Sequence, residues 1–391
     1  MMMNGPQKVL LSKLGTLKKG GAILREKLRP EGAAVILYGD IYTKYAEIVT
    51  RLVSRVDPSA VVDGVRLNSG DIVFAGSGET AEEIGKCIAY VGREEAYAGG
   101  DVVILSNHGQ DARYLGYALN AEDAIRQKMR LGQGSSVMHL YKDDVGSIQI
   151  PLPPLAEQRK IAEIIRTWDE AIETAEAELK AKQERKRWMM KRVFEGAFQT
   201  ISQGWNKVLL GDCFFERSEA GNTGLPLLSI TSGNGVVDRE EIGRRDTSAA
   251  DKGKYLRICP GDIGYNTMRM WQGVCGLSKH EGIVSPAYTI LRPRSETNPA
   301  FMYYLFKCPP MVSRFHRRSQ GLVKDTLNLK FPAFAKISVN IPSQKEQTKI
   351  VQILEAADEE LEWLKRHLES LRTQKRGLMQ KLVTGEVRVA V

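Results

Sequence analysis

Apolar residues recur with helical spacing in two long stretches of the chain. In the first, Ile161, Trp168, Ala175, Lys182 and Met189 fall every seven residues, interleaved with Ile165, Ile172, Leu179, Lys186 and Val193. In the second, the same slots hold Ile350, Ala357, Leu364, Leu371 and Leu378, then Leu354, Leu361, Leu368, Lys375 and Leu382. Each is an a/d seam, the pattern that buries one stripe of a helix against another helix. Lys186 and Lys375 hold the same slot in the two seams. A polar residue repeated in a seam fixes register or orientation rather than adding stability.

The two stretches are copies. Glu157-Gln158-Arg159-Lys160-Ile161 matches Glu346-Gln347-Thr348-Lys349-Ile350 at an offset of 189, and the offset holds without a gap to Gly196 and Gly385. Within it Asp169 matches Asp358, and Lys186-Arg187 matches Lys375-Arg376. The ends carry helix signals. Pro153-Pro154 precede the first helix, where a missing N–H costs nothing. Ser343 and Glu346 form an S-x-x-E capping box before the second. Gly196 and Gly385 stand where a left-handed C-terminal residue is expected. From Glu157 to Gly196 such a helix extends roughly 58 Å.

The segments ahead of the helices echo each other more faintly. Lys8-Val9-Leu10-Leu11 resembles Lys207-Val208-Leu209-Leu210, Gly70-Asp71-Ile72 resembles Gly261-Asp262-Ile263, Gln133-Gly134 resembles Gln320-Gly321, and Ile150-Pro151 resembles Ile341-Pro342. Between these anchors the copies diverge. They are rich in Gly and in β-branched runs such as Asp101-Val102-Val103-Ile104-Leu105, with short helices expected around Tyr114–Leu119 and Phe301–Phe306. The predicted fold class is α+β: two mixed β-rich globules separated by two long helices that form an antiparallel coiled coil. The boundaries are 1–150 for the first globule, 151–197 for the first helix, 198–340 for the second globule and 341–391 for the second helix. An antiparallel pair would carry the globules at opposite ends.

Composition narrows the class of partner. With 391 residues and 42% hydrophobic content the chain is long enough for two cores. Its formal charge of +9 suits a polyanion. Five cysteines (Cys87, Cys213, Cys259, Cys275, Cys308) form neither a C-x-x-C pair nor a Cys/His ligand spacing, which argues against a disulfide framework or a zinc site and for the reducing cytoplasm. No signal-peptide pattern and no membrane-length apolar run is present. A P-loop is absent, and the five histidines are scattered.

The arrangement resembles the specificity subunits of type I restriction–modification systems, over nearly the whole chain. The most specific element is Pro151-Leu152-Pro153-Pro154-Leu155-Ala156-Glu157-Gln158-Arg159-Lys160-Ile161, which matches the family's proline-rich lead-in to its spacer helix; Ile341-Pro342-Ser343-Gln344-Lys345-Glu346-Gln347 is a degenerate second copy. The resemblance implies a non-catalytic DNA-recognition subunit. Each globule would be a target-recognition domain reading one half of a bipartite site, and the helices would set the spacing and dock methylation subunits. The partners implied are double-stranded DNA, two methylation subunits and, in the full complex, restriction subunits. No cofactor is expected on this chain; S-adenosylmethionine belongs to the methylation subunit.

Two rival readings are weighed against this. Phe74-Ala75-Gly76-Ser77-Gly78-Glu79-Thr80 resembles the loop with which amino-methyltransferases hold S-adenosylmethionine, and Ser285-Pro286-Ala287-Tyr288 and Asn298-Pro299-Ala300-Phe301 loosely resemble their catalytic Pro–Pro–aromatic turn. The second proline is alanine in both, and the pieces lie in different globules, so an adenine methyltransferase is the weaker reading. Gly76-Ser77-Gly78 reads instead as a flexible turn, one suited to approach DNA phosphates. A coiled-coil scaffold whose globules bind protein is the third reading.

Candidate DNA contacts follow from side-chain chemistry. Tyr42, Thr43, Lys44 and Tyr45 place a cation between aromatics and a hydroxyl. Asn266, Arg269 and Gln272 have the side chains suited to bidentate readout of adenine and guanine. Arg317, Arg318, Gln320 and Lys324 form a basic stretch suited to phosphates, which position a protein without reading sequence. Gln133 and Ser135 lie in the less basic counterpart of that stretch in the first globule, and Ser77 and Thr80 in its Gly-Ser-Gly turn. The coiled-coil and partner-docking residues are Ile161, Ile165, Trp168, Ile172, Leu179, Leu354, Leu361, Leu364 and Leu368.

Overall fold

The computed structural model describes all residues except 1–5, 135–136, 200–203, 223, 232, 234, 241–251, 322–325 and 391. The two seams form unbroken helices, Leu155–Val193 and Gln344–Thr384. By contacts the chain divides into two compact units, Met1–Glu176 with Arg366–Val391, and Ala177–Lys365. The division runs through both long helices, so each unit is one globule plus a half of each helix.

In the first unit the ion pairs Asp169–Lys375 and Glu176–Arg372 climb one helix while descending the other, and Glu157 at the start of the first pairs with Arg388 just past the end of the second. In the second, Lys182–Glu360 and Lys186–Asp358 do the same. The helices therefore run antiparallel. Leu354, Leu361, Leu364 and Leu368 are buried, as are Ile161 and Ile165, whereas Trp168, Ile172 and Leu179 are half-buried.

Each unit centres on a sheet with the same scheme. In the first, the strands lie in the order Thr16–Lys19, Val102–Ser106, Ile72–Ala75, Cys87–Tyr90 and Ile48–Val49. In the second, the order is Phe214–Arg217, Tyr288–Pro293, Ile263–Asn266 and Cys275–Leu277. The first unit adds a further five-stranded sheet built from segments between Leu28 and Ala98. In both, the opening strand pairs with the strand that leads into the long helix: Lys8–Leu10 with Gln149–Pro151, and Trp205–Leu209 with Ser338–Pro342.

The faint echoes have a common physical basis. Gly70 and Gly261 sit at φ +104° and +88°, a region glycine enters freely. The buried carboxylate of the following aspartate accepts the N–H three residues back, Asn68 to Asp71 at 2.9 Å and Cys259 to Asp262 at 2.8 Å. Gly134 and Gly321 also have positive φ, and their preceding glutamines bridge to His139 and Asn328. The glycines and aspartates build the turns, and the glutamines hold them through their backbone.

The core of the first unit joins Phe74, Tyr114 and Leu115 to Ile161 and Ile165 of the first helix and to Leu382 of the second. In the second unit Phe301, Phe306 and Phe334 pack with Phe194 and Leu354. Burying each such side chain stabilises by about 1.5–3 kcal/mol, so in each unit the globule helps to hold the helix ends.

Three sequence expectations change. Gly196 does not adopt positive φ; it lies inside a 3-10 turn, Glu195–Phe198, because Phe194 and Ala197 are drawn into the second core and Asn340 Nδ2 donates to the Gly196 carbonyl. Gly385 does cap its helix, at φ +77°. Gly76 and Gly78 are not a flexible turn. Ser77–Gly78 is a buried strand paired with Met138–His139, and a Cβ on Gly78 would meet the Tyr42 hydroxyl at 2.9 Å. Close packing, not mobility, requires those glycines. The capping box is half made, with Ser343 Oγ accepting from Glu346 N at 3.4 Å. Among the described residues no helix is long and apolar enough to cross a membrane.

Candidate nucleic-acid interface

In the second unit the candidates converge. The strand Ile263–Asn266 runs out into a loop that returns as Cys275–Leu277. The loop is rigid. Asn266 Oδ1 accepts from Met268 N at 3.0 Å, Thr267 Oγ1 donates to the Ala287 carbonyl at 2.9 Å, and Met270 is buried. Gly273, left-handed at φ +78°, closes the short turn Met270–Gln272. Trp271 Nε1 donates to the Met268 carbonyl and its ring meets His316 edge-on at 5.8 Å. That contact seats the loop against the helix Pro309–Arg318. Arg269 and Gln272 are left exposed, and the Arg269 guanidinium has no partner among the described residues. Arg317 and Arg318, exposed at the helix end, and Gln320, exposed just past it, follow His316 in sequence. Lys324 lies outside the described residues.

Not every basic residue of that stretch is available. Arg314 donates to the Ser338 carbonyl and lies 5.1 Å from the Phe198 ring. Burial, then the charge of Arg317, lowers its pKa. Phe315 is a core residue.

The first unit spends most of its candidates internally. The Tyr42 hydroxyl donates to the Ser77 carbonyl at 3.0 Å, and burial pushes its pKa up. Thr43 Oγ1 donates to the Gly39 carbonyl, though the residue is exposed. Lys44 is paired with Asp40 at 2.8 Å and donates to Ser54 Oγ at 2.6 Å. The Tyr45 hydroxyl accepts from Val53 N at 2.8 Å. Ser77, only 3% exposed, is bonded to His139 Nδ1 at 3.1 Å. The two bonds to Ser77 hold the start of the loop that corresponds to 267–273 in the second unit; the others tie residues 39–54 to one another. Thr80 and Gln133 remain exposed there; Ser135 lies outside the described residues. Glu79, Glu82 and Glu83 are exposed beside Thr80. The same loop thus carries carboxylates in one unit and arginine in the other. Carboxylates repel phosphates but accept a hydrogen bond from the cytosine amino group.

The rival methyltransferase turns resolve as ordinary structure. Asn298 caps the helix Pro299–Phe306, its Oδ1 accepting from Phe301 N at 3.1 Å. Ser285–Tyr288 is a turn closed by Tyr288 N donating to the Ser285 carbonyl. Among the described residues no His, Cys, Asp and Glu side chains gather in a group of three that could hold a metal.

The repeat markers Gln158, Gln347, Asp169 and Asp358 do structural work that their sequence positions alone do not assign. Gln158 Oε1 accepts from Asp111 N at 3.1 Å while its Nε2 donates to the Pro153 carbonyl at 2.8 Å. Gln347 repeats this with Asn298 N at 3.2 Å and Pro342 at 3.0 Å. Each glutamine thus ties a helix N-cap in the globule to the proline lead-in of the long helix. The exact offset was the signal for it.

A sequence profile of the type I restriction modification DNA specificity domain matches residues 7–183 and 207–372. The MjaVIII specificity subunit of a type I restriction enzyme from Methanocaldococcus jannaschii is 25% identical over 352 residues, covering 83% of this chain and 80% of that protein. The EcoKI specificity subunit of Escherichia coli is 25% identical over 255 residues, or 58% of this chain and 54% of that one. Among solved structures, the S subunit of a type I restriction–modification system from M. genitalium superposes with a TM-score of 0.57 at 17% identity, covering 98% of this chain and 96% of that one. A chain from a structure of type I system assembly and conformational transition gives 0.62 at 16% identity, covering 99% of this chain and 100% of that one. With both halves matched by the same domain profile and the two-globule, two-helix fold shared with solved relatives, this chain belongs to the type I restriction–modification DNA specificity family.

Proposed function

We propose that the chain is the DNA-recognition subunit of a type I restriction–modification complex and carries no active site. One observation supports this above others. The two units share a scaffold down to individual turns, yet the exposed side chains on the equivalent loops differ in kind, arginine in one and carboxylate in the other. A duplicated frame with divergent tips suits reading two different half-sites. Arg269 and Gln272 read bases, Arg317 and Arg318 grip phosphates, and Thr80 and Gln133 lie on the corresponding face of the first unit. The long helices hold the spacing and dock methylation subunits, one for each half-site, and S-adenosylmethionine binds to those subunits. Exposed Trp188 and Ile353 on the helices supply apolar docking surface.

The purified chain alone transfers no methyl group and cuts no DNA. Co-expression with a methylation partner, followed by genome-wide mapping of methylated adenines, should reveal one bipartite motif. Robust methyl transfer by the chain alone would refute this reading and favour the methyltransferase; no DNA binding with or without partners would favour the scaffold.

Arg269→Ala should cost about 1–3 kcal/mol on the cognate site, the worth of one bidentate base contact. Arg317→Ala should weaken cognate and random DNA alike and flatten the salt dependence. Binding isotherms at several salt concentrations separate the two. Equal losses on all sequences for Arg269→Ala would make it a phosphate contact.

A further inference from the structure

The lysine repeated in the two seams is not solitary. In the first unit Lys375 Nζ lies 2.6 Å from Asp169 Oδ1 and 2.8 Å from Glu47 Oε2. The other oxygen of Asp169 accepts from the Tyr117 hydroxyl at 2.5 Å, and the lysine stands 5.5 Å from the centre of that ring. In the second unit Lys186 pairs with Asp358, whose other oxygen accepts from the Tyr304 hydroxyl at 2.6 Å. Lys186 stands 5.4 Å from the Tyr304 ring. The same three side chains thus recur in the same geometry, and the wiring is crossed: the aspartate is on one long helix, the lysine on the other, the tyrosine in the globule.

The chemistry of the cluster is that of a fixed joint. Tyr117 and Tyr304 are largely buried, and burial together with the aspartate beside each raises the hydroxyl pKa, so both remain donors. Burial opposes the charge on Lys375, but Glu47 and Asp169 outweigh it and its pKa is raised. Charge-assisted bonds of this kind are short and directional, and breaking one leaves a desolvated charge unpaired. The tyrosine ends a short helix, Ala112–Ala118 or Pro299–Phe306, whose N-cap is held by Gln158 or Gln347. Each short helix is therefore clamped at both ends on its long helix, and at the second clamp the opposite long helix adds its lysine to the other aspartate oxygen. Apolar seams tolerate sliding by a heptad; a lysine that must meet an aspartate does not.

We propose that Tyr117–Asp169–Lys375 and Tyr304–Asp358–Lys186 are positioning clusters that fix where each globule sits along the helix pair, and thereby set the length of the gap accepted between the two half-sites. This rests on the DNA-recognition reading above. The cluster with Glu47 is the stiffer of the two.

The test uses the full chain in complex with its methylation subunits. Methylation rates are compared on duplexes with the native gap, with the gap one base pair longer or shorter, and with one half-site base changed. The variants are Lys375→Met, Lys186→Met, the conservative Lys375→Arg, and Tyr117→Phe, which removes only a hydroxyl. Lys375→Met should reduce discrimination against wrong gaps by about tenfold, the scale of one charge-assisted hydrogen bond. Discrimination against the wrong base should stay intact. Lys186→Met should do less, Tyr117→Phe should act in the same direction, and Lys375→Arg should restore most of the loss. If gap and base discrimination fall together, the clusters are merely structural and the proposal fails. It fails equally if gap discrimination is unchanged in folded Tyr117→Phe and Lys375→Met proteins. A wild-type complex that methylates no bipartite site would overturn the recognition reading itself, and this inference with it.

Discussion

Exchanging residues 8–150 for the matching globule of a relative should replace one half of the recognised sequence and leave the other half unchanged. The expected effect is all-or-none at the exchanged half-site, because on the proposed reading the base-contacting loops are carried wholly by the globule. The structure adds a condition. The strand Lys8–Leu10 pairs with Gln149–Pro151, so the closing ladder is transplanted almost whole. The retained helix residues Gln158 and Asp169 must find an N-cap N–H and a tyrosine hydroxyl where Asp111 and Tyr117 supply them here. A donor globule lacking that tyrosine leaves the Asp169–Lys375 pair without its third member, and the chimera should lose stability and activity. Methylome mapping reads the outcome. If both halves of the motif changed, the globules would not be independent readers.

The second large effect concerns the helices as a ruler. One heptad inserted after Leu179 lengthens the first helix by roughly 10 Å, about three base-pair steps at ~3.4 Å each. The rungs Glu176–Arg372 and Lys182–Glu360 flank both Leu179 and Leu368 in sequence. A single insertion leaves one heptad of the first helix without a counterpart on the second, so thermal stability should fall while the chain still folds. Matching heptads after both Leu179 and Leu368 should restore pairing, keep every Tyr–Asp–Lys cluster intact, and lengthen the non-specific gap with both half-sites unchanged. Three added base pairs turn the duplex by ~100°, so the heads meet their grooves less well and the rate should drop. The mapped motif of the double-insertion variant decides it: a folded, active protein with an unchanged gap would show that the helices do not set the spacing.

The sequence by itself determined the periodic and duplicated features. Heptads at Ile161 to Val193 and Ile350 to Leu382 specify two helices because a 3.5-residue apolar repeat has no other way to bury itself, and the 189-residue offset makes them copies. The Gly-Asp and Gln-Gly anchors were legible for a similar reason: a turn that needs positive φ and a carboxylate three residues along leaves a local signature. The short helices near Tyr114 and Phe301, and the strand at Val102, followed from local pattern too.

Only the tertiary structure decided which side chains were free. Tyr42 and Ser77 have the composition of a DNA contact, but each is consumed by a partner distant in sequence, which sequence spacing does not carry; Lys44 and Tyr45 are taken by nearer partners, Asp40, Ser54 and Val53. The loop that exposes Arg269 is seated against the helix that carries Arg317 because Met270 is buried and Trp271 packs on His316, a long-range contact with no local mark. The seam lysines were visible as anomalies, yet their purpose was not. An a/d lysine costs desolvation energy until an aspartate from the other helix and a tyrosine from the globule close around it, and that meeting exists only once the chain has folded back on itself.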